Sequence, residues 1–94
     1  MQNKQRHPNR LDFFRRRMMF STSHVAHLLG HREASTFREF ERGERLPSLP
    51  NAFRLSVILR VPVEFLYPDL YDQLKKDVRA EEETMAKPQQ QPLF

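Results

Sequence analysis

Two adjacent charged side chains, Arg38 and Glu39, stand in the middle of the run ASTFREFERG, residues 34–43. An arginine fork donates paired hydrogen bonds to guanine O6 and N7, and a glutamate accepts from cytosine N4. Arg38 suits a phosphate equally well. Ser35 and Thr36 bring hydroxyls that can bond base edges or meet thymine methyls; the same residue types also simply favour a helix start. Arg32 and Arg45 flank the run and Arg42 stands near its end, where a guanidinium can meet phosphate oxygens. Upstream lies a second polar cluster, Ser21, Thr22 and Ser23. At a helix N-terminus, such hydroxyls and the first backbone N–H groups suit an anion. Arg6, Arg10, Arg16 and Arg17 could reach further phosphates or a minor groove, with an ordinary solvated charge as the equal alternative.

Other chemistries find less support. His24, His27 and His31 recur at i, i+3 and i+7, a spacing that invites a metal. The chain has no cysteine and no carboxylate cluster beside them, so no metal is expected. Near phosphates these imidazoles would protonate and make binding pH-dependent. There is no nucleophile–base pairing, no acid pair with a cleft and no glycine-rich phosphate loop. Neither an enzyme nor a cofactor is expected on that basis. Asp69, Asp72 and Asp77 read as a solvated helix face.

These groups need elements to hold them. Leu11, Phe14 and Met18 predict a first helix over about 10–19, with Asn9 and Asp12 as its cap and acidic third position. Ser21 caps a second, about 22–29, which Gly30 ends. Ala34, Phe37 and Phe40 give a third, about 33–42, without a clear cap and stopped by Gly43. Ser48 caps a fourth with Pro50 in its first turn. Leu49, Ala52, Phe53, Leu55, Val57, Ile58 and Leu59 are apolar almost all round, which predicts a central, buried helix. A short fifth follows at 63–67 and a sixth at 68–83. Most phenylalanines fall at core spacing, Phe53 included, with Phe13 the exception to expect.

The chain has 94 residues, enough for one domain. Residues 1–60 carry twelve Lys+Arg against five Asp+Glu, a balance of +7; residues 61–94 carry four against seven, a balance of −3. A basic front half points to a polyanion. The polar start MQNKQRHPNR predicts no signal peptide, no residue run predicts a membrane span, and the absence of cysteine fits the cytoplasm. Residues 1–8 read as a disordered basic arm, 9–67 as the domain, 68–83 as an added helix and 84–94 as a disordered Pro/Gln-rich tail.

Two short helices joined through Gly30 form the pattern of a helix-turn-helix. The run FSTSHVAHLLGHREASTFREFERGERLPSLPNAFRLSVILRVPVEFLY resembles the Cro/XRE-type helix-turn-helix family, the lambda-repressor-like DNA-binding domains. The likeness covers about residues 10–67 and rests most on VAHLLG, STFREFERGERLPS and VPVEFLY. It implies an all-α bundle of five short helices, here with a C-terminal helical extension. It implies a transcriptional regulator, expected to be a repressor, that is dimeric on double-stranded DNA. The third helix would enter the major groove, and a palindromic operator would carry half-sites about one turn apart.

The same likeness implies a role for particular residues. Ala34, Ser35, Thr36, Arg38 and Glu39 are the candidate base-reading set, although Ala34 also belongs to the apolar stripe. Ser21, Thr22, Ser23, Arg32, Arg42 and Arg45 are assigned to phosphates. Arg15 and Glu41 would form a partly buried, bidentate pair between the first and third helices. Three departures stand out. Thr22 replaces the family's frequent glutamine, and its short hydroxyl is expected not to bridge to a base-reading side chain. One extra residue falls among His31–Glu33. Arg60 occupies the family's left-handed glycine position, at a cost of about 1 kcal/mol.

The stripe of Leu70, Tyr71, Leu74 and Val78 either folds back on the domain or serves as a dimer interface, and the interface is the favoured reading. A second hypothesis is an antitoxin-like or adaptor protein that binds a protein partner through the acidic residues 68–94, with DNA binding autoregulatory.

Overall fold

A computed structural model of the chain describes residues 7–86. The predicted disorder of residues 1–6 and 87–94 lies outside them, as does Arg6. The described residues form six helices and no strand: α1 (Leu11–Arg17), α2 (Thr22–Leu28), α3 (Ser35–Glu41), α4 (Leu49–Leu59), α5 (Val63–Leu66) and α6 (Pro68–Ala86). The chain is all-α. None of these helices is long and apolar enough to cross a membrane.

Each of the first four helices stops at a left-handed residue. These are Met19 (φ 62°), Gly30 (φ 88°), Gly43 (φ 76°) and Arg60 (φ 62°). That conformation turns the chain while two following N–H groups return to the last-turn carbonyls. At the end of α2, Gly30 N–H donates to His27 O (2.9 Å) and His31 N–H to Ala26 O (2.9 Å). After α3, Gly43 N–H donates to Phe40 O (3.0 Å) and Glu44 N–H to Glu39 O (2.9 Å). After α1, Met19 and Phe20 repeat the pattern on Arg16 and Arg15. Ser56 completes the α4 end: its carbonyl accepts from Val61 N–H, and its hydroxyl donates to Val61 O at 2.6 Å.

The starts are less uniform. Ser21 and Ser48 cap α2 and α4 by accepting from His24 and Asn51 N–H. The cap of α1 differs from expectation. Arg10 holds the cap position without a side-chain bond, while Asn9 Oδ1 accepts from Leu11 N–H at 3.0 Å. The third helix begins two residues later than the stripe predicts. His31–Ala34 form the link instead, and the later start leaves Phe37 and Phe40 facing inward.

Packing joins α1 and α2 to α3, α4 to α5, and α5 to α6. The core is Leu11, Val25, Ala26, Leu29, Ala34, Phe37, Phe40, Leu55, Leu59, Leu66 and Tyr67, with Phe14, Met18, Phe20, Ile58, Val61 and Leu70 packed at its margin. Phe37, Leu11, Leu55 and Leu66 have no solvent exposure at all. Residues 7–8, expected to be part of a disordered arm, are tied down: His7 N–H donates to Gly43 O at 3.2 Å. Residues 84–86, expected in a tail, are the last turn of α6.

The fourth helix corrects the largest error of the apolar pattern. It buries Leu55 and Leu59 but exposes Leu49 (68%), Phe53 (58%) and Val57 (75%). Residues two apart on a helix point about 200° from each other, so one apolar stripe faces the core and the other solvent. The dual-stripe pattern does not enclose α4, because neighbours cover only one side of it. The sixth helix buries no residue. Leu70 packs against the core margin, while Tyr71, Leu74 and Val78 remain exposed.

Replacing Arg60 by glycine removes a left-handed Cβ and should stabilise the chain by about 1 kcal/mol in urea unfolding. An unchanged or lowered midpoint would contradict the strain. Tyr67 is 4% exposed, and its buried hydroxyl has no hydrogen-bond partner. Burial pushes its phenol well above the ordinary value of 10.0. The unfolded chain therefore loses this proton first, and stability contributed by the neutral phenol drains away as pH rises past about 10. Tyr67→Phe should flatten that alkaline decline and, by deleting an unsatisfied hydroxyl, leave neutral stability equal or higher. An alkaline decline as steep as the parent's would rule out Tyr67 as its source.

Candidate nucleic-acid interface

The outer face of α3 follows from its inner one. Phe37 and Phe40 are buried, which turns Ser35, Arg38, Glu39 and Arg42 outward at i, i+3, i+4 and i+7. Ser35, Arg38 and Arg42 are exposed; Thr36 and Glu39 are half-buried. Ala34 is 8% exposed and belongs to the core. Its expected place among the base-reading residues is corrected: its methyl is occupied by packing.

The polar start of α2 lies beside this face. Arg38 Nη2 reaches Thr22 Oγ1 at 3.4 Å. The expectation that a threonine there could not bridge is therefore corrected, since the long arginine itself reaches the short hydroxyl. Ser21 uses its hydroxyl as the α2 cap. Ser23 is exposed, and so is Arg32 at the start of the link.

Carboxylates already occupy several of the cations. Arg45 Nε donates to Glu39 Oε1 at 2.7 Å. Arg42 holds Glu44 with two bonds of 2.8 and 3.0 Å. Those bonds keep the Arg42 guanidinium above its ordinary pKa. A ligand taking Arg42, Arg45 or Glu39 must therefore compete with an internal ion pair, although exposed pairs of this kind contribute little stability. Arg16 is similarly held by Asp12 at 2.6 Å. Arg10 stacks over the Phe13 ring at 4.2 Å, and Arg17 approaches the same ring at 5.9 Å. Phe13 is exposed, as expected, and meets Phe14 edge-on at 5.0 Å.

One guanidinium sets the angle of the whole face. Arg15 Nε donates to Glu41 Oε2 at 2.5 Å, and both side chains are nearly nine-tenths buried. The expected bidentate pair is corrected to a three-way clamp. Arg15 Nη1 donates to Phe20 O at 2.9 Å and Nη2 to Asp12 Oδ1 at 2.9 Å. The clamp joins α1, the α1–α2 turn and the end of α3. Asn9 adds a second tie that sequence reasoning missed: its Nδ2 donates to His7 O and Phe40 O, both at 2.9 Å. Asn9 reads from the sequence as the α1 cap, a place that Arg10 takes, and a bond to a backbone carbonyl 31 residues away has no side-chain partner to betray it.

The histidines do not converge. His24 packs on Phe20 with ring centres 4.5 Å apart, His27 is exposed, and His31 is half-buried with Nδ1 unpartnered. Among the described residues no cluster of three or more His, Cys, Asp or Glu could hold a metal ion.

Comparison of the chain with family models and with curated proteins finds no match.

Proposed function

We propose that this chain is a sequence-specific double-stranded DNA-binding regulator of the lambda-repressor-like, Cro/XRE type. In this reading α2 and α3 form a helix-turn-helix and α3 lies in the major groove. The observation that carries it is the division of α3: Phe37 and Phe40 anchor one side, while Ser35, Arg38, Glu39 and Arg42 line the other beside Thr22. Hydrogen-bonding side chains on an anchored helix are what base reading demands. The basic balance of residues 1–60 supports the same partner.

The roles divide by reach. Ser35, Thr36, Arg38 and Glu39 read bases, while Ser21, Thr22, Ser23, Arg32, Arg42 and Arg45 hold phosphates. Binding opens the Glu39–Arg45 pair, so one step frees a base acceptor and a phosphate donor together. The chain acts as a homodimer on a palindrome, most simply as a repressor that occludes its site.

A second reading has one observation in its favour. No residue of α6 is buried, and its Tyr71, Leu74 and Val78 face solvent. An antitoxin-like or adaptor protein would cover that face with a different protein. A stoichiometric partner that requires residues 68–94 would favour it.

Selection from random duplexes at two salt concentrations tests the main reading. It should enrich one palindrome, with affinity falling steeply as salt rises. No enriched sequence would overturn it. On the recovered site, Glu39→Ala should cut the preference for one base pair by roughly 1–3 kcal/mol, whereas Arg42→Ala should weaken all sequences alike. An unchanged preference in Glu39→Ala would remove Glu39 from the reading set.

A further inference from the structure

Two apolar faces of this chain lie open at once. The first is a groove between α2 and α4, lined by Leu28, Phe53, Val57 and Ile58 with Arg54 at its rim. Leu49 extends it by one turn along α4. The second is the α6 stripe of Tyr71, Leu74, Val78 and Met85, each about half exposed or more. We propose that the α2–α4 groove receives α6 of a second copy of this chain, and that the exchange is reciprocal.

Charge selects this pairing over the simpler ones. Residues 45–62 hold three arginines, Arg45, Arg54 and Arg60, and no acid. Helix α6 holds six acids against three bases. Groove against groove would bring Arg54 towards its own copy. Stripe against stripe would pair two acidic helices and place Glu81, which falls between Val78 and Met85 on the stripe, inside an apolar seam. Stripe against groove brings the acidic α6, Glu81 included, to the groove that Arg54 lines, and buries both apolar faces. Opposite charges around an apolar centre fix partner and register together. Each copy offers one helix and one groove, so two contacts close a two-fold dimer and leave neither face open.

The inference shares the self-pairing of the proposed function but not its DNA contact. Association is therefore read without DNA, and failure here leaves the DNA reading standing. Sedimentation of the full chain at micromolar concentration should show a dimer. Val57→Glu and Leu74→Glu, both at exposed positions, should each raise the dimer dissociation constant at least about tenfold, with unchanged far-ultraviolet circular dichroism. An equimolar mixture of the two variants should regain a heterodimer, because the unaltered α6 of one meets the unaltered groove of the other. A monomeric parent chain overturns the proposal. So does a result in which only one of the two variants weakens the dimer while the other associates like the parent, or a mixture no more associated than its components.

Discussion

The Arg15 guanidinium is the point on which the orientation of α3 depends. Three acceptors on three parts of the chain converge on it: the Asp12 carboxylate, the Phe20 carbonyl and the Glu41 carboxylate. A buried charge is tolerated only when its donors are satisfied, so the geometry that satisfies Arg15 is also the geometry that fixes α1 against the end of α3. Asn9 reinforces the same joint through Phe40 O. Phe37 and Phe40 then press the inner face of α3 into the core, and the outward direction of Ser35, Arg38 and Glu39 follows. Apolar packing alone would fix the depth of α3 and leave its rotation looser, because dispersion is not directional.

The smallness of the domain explains its exposed faces. A chain of this size buries a modest share of its surface, and the core closes around Leu55, Leu59 and Leu66 without using the outer stripe of α4. Leu49, Phe53 and Val57 are left over, as are the apolar positions of α6. A helix of 19 residues with none fully buried, joined to the core chiefly through Leu70, gains little from tertiary packing, which is the main source of helix stability in proteins. The charges are not scattered at random over these faces: the basic half carries the α4 groove, and the acidic half carries α6.

Much of this was legible in the residues. The six helices, the caps at Ser21 and Ser48 and the stops at Gly30 and Gly43 all have local signatures, while the left-handed Arg60 was marked only by the resemblance. Met19 does not, because methionine has no preference for a left-handed stop, and it adopts one only because the α1–α2 turn demands it. The α4 helix misled for a related reason. An apolar stripe records what a residue is and not whether a neighbour covers it, and Val57 and Leu59 read alike until the packing is seen. Within the candidate site, Glu39 and Arg42 were identifiable as outward charges. Their internal partners, Arg45 and Glu44, were not, since a turn of unpredictable shape brings them back. Arg15 and Glu41 were marked by a resemblance, but the carbonyl of Phe20 that completes the clamp bears no side chain to notice.

The central claim is that one buried clamp serves both stability and the presentation of α3. A double-mutant cycle on Arg15→Ala and Glu41→Ala tests it, measured by urea unfolding and by affinity for a selected duplex under conditions where every variant is folded. Coupling of about 2 kcal/mol is expected in stability, and the double variant should bind DNA about as weakly as either single one. Coupling confined to stability, with DNA affinity untouched by either substitution, would contradict the account.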